Sequence, residues 1–270
     1  MLSNREKSKF DNARSTTHAA IVRVVDACRA LLPARCTLCV ARCEAGLLCA
    51  SCMAEMPTIP HACPRCALAT PDGTTCGHCL AAPPPYASTT AAWRYAFPAD
   101  RLLQQLKYGG DLALAEPLGD ALARAVMTRG ERRPDAIVAM PLSRERQRHR
   151  GFNHAHEIAR RVGRVLDVPL VAGLVRTRDA PPQAGLALRE RKRNVRGAFA
   201  ATGCEGRTVA IVDDVMTTGA TLDAAARTIL AAGARRADAW VVARTLRDQA
   251  SGTGYRWTGD PPVSVASLPT

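Results

Sequence analysis

One stretch of thirteen residues, VAIVDDVMTTGAT at positions 209–221, restricts what this chain can fold into more than any other. Val209, Ala210, Ile211 and Val212 are apolar and partly β-branched, the composition of a buried strand in a parallel sheet. Two adjacent carboxylates follow, Asp213 and Asp214, and then the polar turn Thr217, Thr218, Gly219, Ala220 and Thr221. Residues 222–232 are strong helix formers, and Gly233 stands where a left-handed cap would close that helix. A strand, a tight turn and a helix in this order are the building unit of an α/β fold.

Each part of the stretch has a chemical use. The threonines bring hydroxyl donors, and Gly219 lets successive backbone N–H groups converge on one spot. The helix that follows adds its positive end. Together they suit a phosphate dianion. Carboxylates repel phosphate but accept hydrogen bonds from two neighbouring hydroxyls, such as those of a ribose. The implied ligand is a ribose 5-phosphate; the plain alternative is an ordinary strand and helix joined by a solvated acidic turn. The stretch resembles the phosphoribosyl-pyrophosphate (PRPP) motif of type I phosphoribosyltransferases. That resemblance implies that Asp213 and Asp214 hold the ribose 2′- and 3′-hydroxyls and that Thr217, Thr218, Gly219, Ala220 and Thr221 hold the 5-phosphate.

The cysteines carry the second strong signal. Eleven are present, and no apolar run approaches the ~20 residues of a membrane span. The first eighteen residues lack the apolar core and cleavage site of a signal peptide, so the chain is expected in the cytoplasm, where cysteines serve metals more than disulfides. Cys36-x2-Cys39-x9-Cys49-x2-Cys52 recurs 27 residues later as Cys63-x2-Cys66-x9-Cys76-x2-Cys79. A CxxC turn supplies one edge of a thiolate tetrahedron and a second CxxC supplies the other, giving two closed structural Zn²⁺ sites. Sequential pairing is the first choice; the alternative is a crossed arrangement in which the first and third pairs share a zinc. Cys43 is left over, and Cys28 falls on the apolar face of an amphipathic helix predicted over residues 18–32. So small a ribbon buries little core and takes its folding energy from the metal.

The charge is uneven. The chain carries +13, and residues 141–200 hold 14 Lys+Arg against 5 Asp+Glu, an excess of 9. Such a patch suits nucleic acid, an anionic surface or a polyphosphate. Between Ala81 and Leu246 the pattern alternates strands with helices. Strands are predicted over 91–97, 135–140, 168–174 and 238–246, and helices over 100–108, 112–129 and 154–165. The loop at 141–153 (PLSRERQRHRGFN) leaves the carboxyl end of a predicted parallel strand, where α/β folds bind ligands. In the type I class this loop binds pyrophosphate, which implies roles for Ser143 and Arg144, with Arg146, Arg148 and Arg150 nearby. Residues 175–199 match in position the mobile loop of the same class, and Arg189, Arg191, Lys192, Arg193 and Arg196 would meet pyrophosphate or a nucleic-acid backbone. Lys107 and Tyr108 would line the acceptor side.

LLPARCTLC, LKYGG, PLSRERQRHRGFNHAHEIA and RTRDAPPQAGLALRERKRNVRGAF together resemble the ComF family. The resemblance covers about Leu31 to Leu246. It implies four parts: an N-terminal tail and helix (1–33), a double zinc ribbon (34–82), a type I phosphoribosyltransferase-like parallel sheet flanked by helices (83–247) and a loose tail (248–270). The phosphoribosyltransferase resemblance implies PRPP and Mg²⁺ at the site and phosphoribosyl transfer with Arg144 and both aspartates in catalysis. The ComF resemblance implies a setting in natural transformation, and the alternative is a single-stranded-DNA-binding competence protein whose PRPP site is regulatory or vestigial. Single-stranded DNA and competence DNA-translocation proteins are the partners that the ComF resemblance suggests. With aromatics at 4%, DNA would be held through its backbone more than by base stacking.

Overall fold

The computed structural model describes residues 34–43, 46–177 and 197–246. The predicted N-terminal helix, Cys28, the stretch holding Arg189, Arg191, Lys192, Arg193 and Arg196, and the C-terminal tail lie outside the described residues.

A four-stranded parallel sheet forms the centre. It runs β3 (Thr89–Arg94), β8 (Arg236–Arg244), β7 (Thr208–Met216) and β4 (Ala136–Ala139). The apolar runs AIVA, VAIV and AWVVA are the reason: they are buried on both faces, as parallel strands must be. The pleat divides them. Ala210, Val212, Trp240 and Val242 enter one core with α3 (Ala99–Tyr108), α4 (Ala115–Arg129) and α6 (His154–Leu166). Val209, Ile211, Ala239 and Val241 enter the other, with α7 (Ala220–Ala231).

Several predicted boundaries move. The strand expected to end near Val212 runs on to Met216 and carries both aspartates. Residues 112–129 split into a 3-10 turn (Leu112–Leu114) and α4, after Asp111 caps the turn by accepting from the Ala113 N–H at 3.2 Å. The strand expected over 168–174 is reduced to one bridge, Leu170 beside Ile137. The strand proper is β5 (Leu174–Arg176), antiparallel to β6 (Phe199–Ala201) and outside the main sheet. The 141–153 loop contains a short helix, α5 (Arg144–Arg150).

The zinc-ribbon repeat is visible in the backbone. β1 (Ala34–Arg35) pairs with β2 (Arg42–Cys43), and 27 residues on, Ala62 bridges Ala69. Val40 and Ala67 follow their CxxC turns with φ of 63° and 54°. Cys49 and Cys76 cap the short helices α1 (Ala50–Ala54) and α2 (Gly77–Ala81). The two halves serve different cores: Cys36, Cys43 and Leu48 join that of α3, α4 and α6, whereas Cys63, Cys66 and Cys79 join that of α7. The ribbon also covers the open edge of β3, where the Thr89 N–H donates to Pro64 O at 3.0 Å and the Arg94 N–H to Pro57 O at 2.7 Å. A covered edge cannot recruit another strand.

Candidate functional site

The topology selects one crevice. The connection leaving β4 runs outward to Leu170, at the sheet's far side, whereas the connection leaving β7 runs the other way to β8. Neighbouring parallel strands whose connections diverge leave a gap beyond their carboxyl ends, and α/β folds bind ligands there. Residues 141–153 border it from β4, and residues 217–219 from β7.

On the β7 side the pleat sends the two aspartates apart. Asp214 continues the face of Ala210 and Val212 and is 5% exposed. Its Oδ2 lies 2.8 Å from Lys107 Nζ of α3 and 2.6 Å from His154 Nε2 of α6. These are close charge contacts more than aligned hydrogen bonds. Arg150 Nη1 lies 3.4 Å from His154 Nδ1. The ring is thus held between the Arg150 guanidinium on one side and the Asp214 carboxylate on the other. Burial alone would raise Asp214's pKa, but Lys107 and His154 outweigh it and hold the carboxyl well below its usual range. Burial opposes the Lys107 ammonium too, and Asp214 raises its pKa regardless. Asp213 is partly exposed and accepts from the Asp214 N–H at 2.8 Å. Desolvation and the adjacent Asp214 charge push it up to about 7.

The turn beyond is shaped by Gly219, whose φ of 81° favours glycine and which serves as N-cap of α7. A Cβ there would stand 2.7 Å from Met216 Cε and 3.1 Å from Tyr86 Oη. Thr217 is exposed, Thr218 and Thr221 are partly exposed, and Thr218 Oγ1 accepts from the Ala220 N–H at 3.4 Å. Ala220 and Thr221, expected in the turn, are the first residues of the helix, so the turn itself is Thr217, Thr218 and Gly219. The hydroxyls and the helix's positive end therefore adjoin one another.

On the β4 side, the RGFN run has a definite job. Ser143 caps α5 by accepting from the Arg146 N–H at 3.3 Å, and Arg144 is that helix's first residue. Gly151 ends it with φ of 74°. Asn153 then caps α6 through its Oδ1, which accepts from the N–H groups of Ala155 and His156, and its Nδ2 donates to Met140 O at 3.1 Å. One side chain thus ties the loop's return to the end of β4. Arg146 and Arg148 are exposed, and Arg150 stacks 5.0 Å over the Tyr108 ring. A cleft of about 350 Å³ opens among Pro141, Leu142, Gln147, Arg148 and Asn153; its walls do not include the aspartates.

The cysteines form two separate sets, Cys36, Cys39, Cys49 and Cys52, and Cys63, Cys66, Cys76 and Cys79, which settles the pairing as sequential. A tetrahedron with Zn–S of about 2.3 Å has S···S edges of about 3.8 Å. Cys39 and Cys49 Sγ are 3.7 Å apart, and Cys66 and Cys76 Sγ 3.6 Å, so the donor sets fit zinc and not disulfides. Cys43 sits buried beside the first set. It is not part of the four-sulfur set, and burial and the Cys36 and Cys49 sulfurs push its thiol upward.

Sequence reasoning placed Lys107 on the acceptor side and treated His154 as the start of a helix; the structure brings both to Asp214. It missed Arg244, 4% exposed at the end of β8. Its Nη1 donates to Met216 O at 3.0 Å and to Thr217 O, and its Nε donates to Cys66 O at 2.8 Å. The available signal was an arginine inside the apolar run AWVVARTL.

The geometry therefore defines a phosphoribosyltransferase-type α/β domain joined to a double zinc ribbon. Residues 120–260 match the Phosphoribosyl transferase domain family, and residues 27–80 match the Double zinc ribbon domain. The DNA utilization protein YhgH of Escherichia coli is 36% identical over 61% of this chain and 75% of its own. Competence protein F of Haemophilus influenzae is 30% identical over 73% and 90%, and competence protein ComFC of Bacillus subtilis 35% over 36% and 39%. The chain belongs to the ComF family. Among the described residues, no helix is long and apolar enough to cross a membrane.

Proposed function

We propose that the crevice binds PRPP with Mg²⁺ and that the chain transfers its phosphoribosyl group to a nitrogen acceptor, releasing pyrophosphate. The observation that carries this reading is the meeting of two unlike elements across one switch point: the aspartate–threonine–glycine turn of β7 and the arginine helix α5 after β4. Thr217, Thr218, Gly219, Ala220 and Thr221 suit the 5-phosphate. Asp213, the partly exposed acid, suits the ribose hydroxyls, and Asp214 acts through the buried group that orders the strand end. Ser143, Arg144 and the exposed arginines of α5 suit pyrophosphate, with Arg193 a further candidate. Asp213, a hard oxygen donor, would help to hold Mg²⁺, and the ion would supply charge neutralisation at the phosphates. In the transfer, the C1–O bond to pyrophosphate breaks with its electron pair leaving on that oxygen. The acceptor nitrogen bonds to C1 and loses its proton. The protein's contribution is positioning and electrostatics.

Thermal stability with PRPP and Mg²⁺ tests the reading, comparing wild type with Asp213→Asn. This variant spares the contacts among Asp214, Lys107 and His154. A shift in the wild type alone supports the site, and pyrophosphate release with candidate bases then tests transfer. No shift in zinc-loaded, folded protein overturns it. Competence protein F and the DNA utilization protein, with the basic excess of residues 141–200, favour a second reading. Here single-stranded DNA is bound through exposed arginines such as Arg146 and Arg148, in the setting of DNA uptake. Its mark is an affinity that falls steeply with salt and survives Asp213→Asn.

A further inference from the structure

The second zinc knuckle and the phosphate turn share one buried arginine. Cys66 is a ligand of the second set, and its backbone carbonyl accepts from Arg244 Nε at 2.8 Å. From the same guanidinium, Nη1 donates to the carbonyls of Met216 and Thr217, and the Thr245 N–H meets Met216 O at 3.0 Å. In a trans peptide the C=O and the following N–H point in opposite directions. With the carbonyls of Met216 and Thr217 drawn toward Arg244, the N–H groups of Thr217 and Thr218 are turned away from it. That is the orientation a phosphate cradle needs. Tyr86 makes a second link. It is 2% exposed, its Oη lies close under Gly219, and its carbonyl accepts from Arg65 Nη1, inside the same knuckle, at 3.4 Å. The first zinc set packs in the other core and has no such connection to the turn among the described contacts.

We infer that Arg244 is a positioning residue that makes the second zinc site and the phosphate turn one cooperative unit, so that zinc at Cys63, Cys66, Cys76 and Cys79 sets the turn's geometry and phosphate binding in turn holds that zinc. The inference rests on the PRPP reading for its ligand. Binding equilibria that are coupled are coupled reciprocally, typically 5- to 150-fold. Zinc therefore reports on the turn without any catalytic assay.

The test is chelator-driven zinc release from the full chain, with hydrogen exchange followed at residues 36–52, 63–79 and 216–221, with and without PRPP and Mg²⁺. PRPP is expected to slow release of the second zinc about fivefold or more and to protect residues 63–79. The first zinc should be unaffected. Arg244→Gln should bind two zincs yet lose this protection, and Arg244→Lys should restore part of it. PRPP slowing both zincs equally, or neither while calorimetry shows it bound, overturns the inference. If calorimetry shows no PRPP binding, the PRPP reading fails by itself, and the coupling is judged from the metal side. Removing the second zinc from wild type should then speed exchange at residues 216–221, and unchanged exchange there refutes it. Should Arg244→Gln fail to fold, the wild-type arms and Arg244→Lys still decide.

Discussion

Lys107→Met probes the buried charges that order the end of β7. The substitution keeps length and apolar volume and removes the ammonium 2.8 Å from Asp214 Oδ2. Asp214 is left 5% exposed with only His154 Nε2 against it, at 2.6 Å. Stripping one partner from a buried ion pair costs about 3–5 kcal/mol. Two features reduce that here: Lys107's side chain is 18% exposed, and His154 stays in place. The expected loss is about 2–3 kcal/mol, starting from the buried-pair range. At this chain length each kcal/mol moves Tm by roughly 2–4 °C, so the midpoint should fall by roughly 4–12 °C. Urea unfolding of zinc-loaded protein at pH 7.5 measures the free energy directly. A cycle with Asp214→Asn isolates the pair: the two single losses should exceed the double loss by about 2 kcal/mol. A Lys107→Met loss under 0.5 kcal/mol, or a cycle that closes with no coupling, would refute the assignment of Lys107 as Asp214's principal partner.

Asp213 gives a pH prediction. Its folded pKa of about 7 lies above the ordinary 3.8. The unfolded chain therefore releases this proton near pH 4 and the folded chain only near pH 7, so its ionisation lowers stability as pH rises between those values and adds nothing further above. Ribose hydroxyls donate to the ionised form, so PRPP affinity should rise as pH climbs through about 7 and level off beyond it, as read by calorimetry. Gly219→Ala should cost about 1–3 kcal/mol in urea unfolding and weaken PRPP binding, because φ is 81° and the new Cβ meets Met216 Cε at 2.7 Å. Asn153→Ala removes the α6 cap and the bond to Met140 O and should cost about 1–2 kcal/mol by the same measurement. Metal analysis should find two zincs per chain, and Cys63→Ser with Cys66→Ser should remove one of them.

By itself the sequence determined whatever depends on neighbours along the chain. The VAIV run, the glycine-bearing turn and the Ala-rich helix lie within one local unit, so the order strand, turn and helix was readable, although the helix starts two residues earlier than expected, at Ala220. The cysteine repeat was readable for the same reason: a CxxC turn is local, and a 27-residue period repeats its backbone from Val40 to Ala67. The sequence left open which cysteine pairs share a metal, since that depends on how hairpins stack. It also misjudged the strand at 168–174, because whether a residue pairs is decided by the sheet beside it, and only Leu170 meets Ile137. Only the tertiary structure decided what Lys107, His154 and Arg244 touch. Lys107 and Asp214 stand 107 positions apart in the chain, and Cys66 and Arg244 are 178 apart. Each is an ordinary residue in its own helix or strand. Their chemistry arises because the fold withdraws charges from water and leaves them specific partners far away in the chain, a constraint that no local pattern records.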